Sequence, residues 1–152
     1  MCSSDLDTIP GLKGKDKVHR QILPLSEPRK YLLEPDPAIL RAGLVQALGM
    51  ELGAAQLDPD IAYLTSDKKV ETPFARTWKI DSWMPFNLKQ VRSTLRKRNV
   101  GKITVKKRGF PMQPEEFIRA LHLDNKSKED RAECILALTH LRGRPIVIFL
   151  TP

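Results

Sequence analysis

Residues 132–150 read AECILALTHLRGRPIVIFL, two apolar runs on either side of Arg-Gly-Arg. This stretch constrains the fold more than any other. Gly143 suits a tight turn, so the stretch is expected to form two apolar strands in a hairpin. PIVIFL, the longest unbroken apolar run, is strand-sized and far short of the roughly twenty residues a membrane-spanning helix needs. With 41% apolar and 29% charged residues, the chain has an ordinary globular balance and is too apolar to be wholly disordered.

Upstream, DPAILRAGLVQALGMELG carries the best helix signal. Asp36 suits the N-cap, Pro37 the first helical position and Gly53 the stop. Leu40, Leu44, Ala47, Leu48 and Leu52 supply its apolar stripe. RKYLLEP before it reads as a strand ended by Pro35, DPDIAYLTSD after it as a turn and short strand, and TPFARTWKIDSWMPF as a longer strand. Asn87 then caps a helix, LKQVRSTLRKR, with Gly101 just past its end. KITVKK is a strand with Ile103 and Val105 on one side and Lys102, Thr104 and Lys106 on the other. QPEEFIRALHL is a further helix, with Pro114 in its first turn and Glu115 and Glu116 suiting its dipole. The pattern is α+β, two small sheet-and-helix layers meeting near Pro73–Phe86. Residues 1–28 read as a flexible tail or linker, with Ile22–Leu25 able to pair briefly as a strand.

A net charge of +8 favours a polyanionic partner. The charge concentrates in TLRKRNVGKITVKKRG, residues 94–109, and from Asn87 to Gly109 there is no Asp or Glu. At about 100° per residue, Lys89, Arg92 and Arg96 share one stripe beside a Leu88, Val91 and Leu95 stripe. Lys97 and Arg98 follow at the helix end; Lys102 and Lys106 lie on the strand, and Lys107, Arg108 and Gly109 in its exit. Helical cations three or four residues apart stand roughly 5–6 Å from each other, the scale of successive phosphates. An ordinary solvated face mixes signs, so the run is expected to gather into one cationic surface for nucleic acid. Phe110, beside Gly109 and Pro111, is the aromatic best placed to stack on a base.

Catalytic signals are thin. The EPDP and LDPDI clusters suit capping and turn chemistry. His19, His122 and His140 lie outside metal-ligand spacing, and the glycines never form G-x-G. Cys2 and Cys134 are far apart and support no disulfide framework, so a reducing cytoplasm is expected. No catalytic, cofactor-binding or metal-ligating residue is assigned.

YLLEPDPAILRAGLVQAL, QLDPDIAYLTSD, TPFARTWKID and VGKITVKKRG together resemble the C-terminal portion of bacterial THUMP-like proteins of the class I S-adenosylmethionine-dependent methyltransferases. The resemblance covers about residues 28–152. It implies a ferredoxin-like segment over 29–75 and a THUMP-like domain over 76–152. Full-length members carry a Rossmann-type cofactor domain ahead of this region, whereas here a short polar stretch precedes Arg29. The resemblance therefore implies a non-catalytic module recognising structured RNA, such as transfer or ribosomal RNA. S-adenosylmethionine belongs to the full-length family, and this chain alone is not expected to be active. Lys102, Lys106, Lys107 and Arg108 fall in the matching VGKITVKKRG stretch. The alternatives are a protein-interaction module docking on a separate methyltransferase domain or another acidic partner, or one part of a methyltransferase whose catalytic domain lies outside this chain.

Overall fold

The computed structural model describes residues 23–122 and 132–151. Most of the expected tail lies outside them. The chain divides into two compact units, Met1–Trp78 and Lys79–Pro152.

In the first unit, β1 (Tyr31–Pro35) is followed by α1 (Pro37–Arg41), α2 (Val45–Leu52), β2 (Ala55–Asp58) and β3 (Ile61–Ser66). The single helix expected over 36–53 is two. Asp36 does cap the first, its Oδ1 accepting from the Ala38 N–H at 2.9 Å. But Gly43 takes φ of +69°, a left-handed conformation in which an α-helix cannot continue. Sequence reading missed β2. It is short and uniformly buried, so it shows no alternation, and it sits against the turn chemistry of Asp58, whose Oδ1 accepts from the Asp60 N–H at 3.0 Å. β3 lies between β2 and β1 and is antiparallel to both. Leu23, Leu33, Ala54 and Leu64 form the core here, with Val45, Leu52 and Val70 against it. The brief pairing expected near Leu25 is present as a parallel bridge to Gln56.

β4 (Ala75–Pro85) leads into the second unit, which continues through α3 (Leu88–Lys97), β5 (Val100–Lys107), α4 (Pro114–Ala120), β6 (Ala132–Leu141) and β7 (Arg144–Thr151). The strands lie in the order β4-β7-β6-β5. β6 and β7 form the expected hairpin, with Leu141 opposite Arg144. Its two turn residues, Arg142 and Gly143, have φ of +52° and +79°. Such a pair matches the twist of the strands it joins. β5 runs parallel to β6, with α4 in the connection, as a parallel pair requires. Val91 and Leu95 of α3 and Phe117 of α4 pack on Cys134, Leu136, Leu138, Val147 and Phe149, all buried. The helices therefore cover one face of these strands. The architecture is α+β, as the sequence implied.

Candidate nucleic-acid interface

Asn87 starts α3, its Oδ1 accepting from the Gln90 N–H at 3.1 Å. Val91 and Leu95 are wholly buried while Lys89, Arg96 and Lys97 are exposed, so the helix presents cations to solvent along one flank. It stops at Asn99, which adopts φ of +53°; Gly101, the expected stop, already belongs to β5.

Arg92 shares the stripe but serves another purpose. It is half-buried, and its Nε and Nη2 donate to the Leu121 and Ala120 carbonyls at 3.0 and 2.6 Å. Those carbonyls sit at the end of α4, where backbone acceptors lack helical partners. Arg92 thus clamps one helix to the other. Arg98 is also engaged. It sits 3.8 Å from Asp81, donates to the Ser82 hydroxyl at 3.1 Å, and lies 4.8 Å over the Phe149 ring.

β5 divides the remaining cations. Ile103 and Val105 pair laterally with Cys134 and Leu136, which belong to the helix-covered core. Lys107, beside Leu138, shares that side. Lys102 and Lys106 are beside Glu133 and Ala137 and so point to the opposite face. The single shelf expected from the sequence is therefore split. The α3 cations and Lys107 lie on the helix side of the strands, and Lys102 and Lys106 lie on the other. Lys102 also pairs with Glu133 at 3.7 Å, and Lys106 and Arg108 are half-buried and partnered. The cause is the two-residue period of a strand: a core-facing Ile103 and Val105 force their neighbours away from the helix that carries the other charges.

Phe110 is a second correction. It is 3% exposed, its ring 4.9 Å from that of Phe86 and 6.3 Å from that of Phe117, edge-on to both. It anchors the exit of β5 in the core, where no base reaches its face.

Sequence reasoning gave no hint of a cavity of about 360 Å³ beside the end of α3. Asp81, Arg98, Val100, Glu133, Cys134 and Thr151 are among its lining residues. The Thr151 hydroxyl donates to Asp81 Oδ2 at 2.6 Å. Burial pushes the Cys134 thiol above its ordinary pKa; the Arg98 guanidinium pulls it back down and the Asp81 carboxylate raises it. These groups come from β4, the C-terminal cap of α3, β5, β6 and β7, and no spacing in the sequence links them. Among the described residues, no group of three His, Cys, Asp or Glu side chains is placed to hold a metal. Nor is any helix among them long and apolar enough to cross a membrane.

The THUMP domain-like family profile matches residues 75–152, half of the chain. The chain belongs to the THUMP-like family. Relatives of the chain include uncharacterized S-adenosylmethionine-dependent methyltransferases from two strains of Mycobacterium tuberculosis. Each is 34% identical over 94 residues, which is 62% of this chain and 26% of the relative. A crystal structure of a "putative methyltransferase from Porphyromonas gingivalis W83" superposes with a TM-score of 0.70 at 27% identity. It covers 89% of this chain and 32% of that one. The THUMP-like chain thus spans about a quarter to a third of the length of these relatives.

Proposed function

We propose that this chain is the RNA-recognition part of an S-adenosylmethionine-dependent methyltransferase, and that it holds structured RNA by its phosphates along the outer flank of α3. One observation carries the reading: Lys89, Arg96 and Lys97 are exposed on one helix, within a segment from Asn87 to Gly109 that has no acidic residue. Membership of the THUMP-like family and the methyltransferase names of the relatives support it. In this reading the cofactor is held by the part of the relatives outside the match, and the protein works in the cytoplasm. Residues 29–75, within the first unit, are the ferredoxin-like segment. Its strand–helix–helix–strand–strand order, with β3 seated between β1 and β2, supports that assignment, being compatible with the first half of a split β-α-β arrangement.

The chemistry of such a flank is release of counterions condensed on the nucleic acid, which makes affinity fall steeply with salt. Fluorescence anisotropy of a labelled transfer RNA, titrated at several salt concentrations, tests it. Each engaged phosphate contributes about −0.7 to −0.9 to the slope of log affinity against log salt. Reversing Lys89, Arg96 and Lys97 to Glu should flatten the slope by about 2 and weaken binding at low salt. Affinity that ignores both salt and the triple substitution overturns the reading. The pairing of Arg98 and Lys102 with carboxylates favours the second reading, a protein-docking module. Co-purification of an acidic protein, with no nucleic-acid absorbance, supports that one instead.

A further inference from the structure

We infer that the cavity at the end of α3 accepts a single unstacked nucleobase bearing an exocyclic amine, from a single-stranded part of an RNA whose backbone runs along the helix. The inference rests on the RNA-binding reading above and adds to it a place where sequence is read.

Position comes first. Arg98, in the cavity wall, directly follows Arg96 and Lys97, the exposed cations at the C-terminal turn of α3. A strand whose phosphates meet those two side chains brings its next base to the cavity mouth. Size is next. At about 360 Å³ the cavity lies at the small end of the sites that hold organic ligands, enough for one ring system and its sugar edge.

The lining supplies both faces and edges. Val100, Ile135 and Leu150 offer apolar surface, which suits the flat face of a base. Asp81, Thr151 and Arg98 form the polar part of the wall, and the capacity of Arg98 and Asp81 is incompletely used. A guanidinium has five N–H donors. Arg98 gives one to Ser82, and its 3.8 Å separation from Asp81 is an ion pair too long for a hydrogen bond. Asp81 accepts from Thr151 through Oδ2 and keeps capacity on its other oxygen. Glu133 also lines the cavity but is already paired with Lys102 at 3.7 Å, so Asp81 is the carboxylate left to accept. One donor fork beside the Asp81 carboxylate matches a ring acceptor next to an amine. Cytosine presents that edge, whereas uracil replaces the amine with a carbonyl. A carbonyl there would meet carboxylate oxygens, acceptor against acceptor.

Cys134 provides a reporter. The residue lines the cavity and is 7% exposed, so an occupant should shield it. The experiment uses the full chain carrying Cys2→Ser, with single-stranded oligo(C) and oligo(U) of about 12 nucleotides, a length in the range such surfaces span. Two quantities are read: affinity at fixed salt, and the rate at which a thiol-specific disulfide reagent labels Cys134. Oligo(C) should bind about tenfold tighter than oligo(U) and slow labelling severalfold. Asp81→Asn should abolish the preference while leaving the salt slope unchanged. Should that variant lose its fold by circular dichroism, Thr151→Val, which removes the hydroxyl that holds the Asp81 carboxylate in place, takes its place and should reduce the preference. Equal, salt-dependent binding of both oligonucleotides with no change in labelling overturns the base site and leaves the α3 flank standing. Failure of transfer RNA and of both oligonucleotides to bind overturns the two together.

Discussion

Replacing Arg92 separates a phosphate contact from a structural clamp. Its planar fork reaches two carbonyls at the end of α4, Leu121 at 3.0 Å and Ala120 at 2.6 Å, from a half-buried position on α3. A hydrogen bond to a charged donor contributes about 1.5–3 kcal/mol when well enclosed. Two such bonds, discounted for partial exposure, together with about 0.3–1 kcal/mol for a cation at a helix C-terminus, give a destabilisation of about 2–4 kcal/mol for Arg92→Ala. Arg92→Lys keeps the charge but cannot span both carbonyls as a rigid fork, so it should recover less than half of that loss. Urea unfolding followed by far-ultraviolet circular dichroism and tryptophan fluorescence measures it. The acceptors are neutral carbonyls, so the loss should persist in about 0.5 M salt, where exposed ion pairs are largely screened. The salt slope of transfer RNA binding should not change. If Arg92→Ala leaves the urea midpoint in place and flattens the salt slope by about 0.7–0.9, the clamp assignment is wrong and Arg92 is a phosphate ligand.

Leu95→Ala removes a wholly buried side chain from the contact of α3 with the strands and should cost about 2–5 kcal/mol in the same assay. Gly143→Ala meets no atom within 4 Å but must adopt φ of +79°; the strain should lower stability by about 1–2 kcal/mol. Because burial raises the Cys134 pKa, the folded state holds the thiol proton more tightly than the unfolded chain does. Stability should therefore be constant below the ordinary thiol range and decline as pH rises through it, while labelling of folded Cys2→Ser protein stays slow until the solution is well alkaline. A flat stability–pH profile in that range for wild type, matching that of Cys134→Ser, would remove burial as the cause.

Features settled by neighbours in sequence were legible without a structure. The Asn87 cap, the Val91 and Leu95 stripe, the alternation of Ile103 and Val105 against Lys102 and Lys106, and the Gly143 turn all depend on contacts within a few residues. Two local features were missed: β2, too short and too buried to alternate, and the break at Gly43, where a tolerable helix glycine turned left-handed. What the seven basic side chains of residues 94–109 do depended on packing. Laying β5 parallel to β6 sent Lys102 and Lys106 to the face away from α3, and docking α4 against α3 drew Arg92 off the surface onto bare carbonyls. The same packing buried Phe110 and closed the cavity around Arg98 and Cys134 with groups from distant strands. Charge is written along the chain, but the direction in which it points is set by which apolar neighbours must be buried, and those partners are chosen only when the strands assemble.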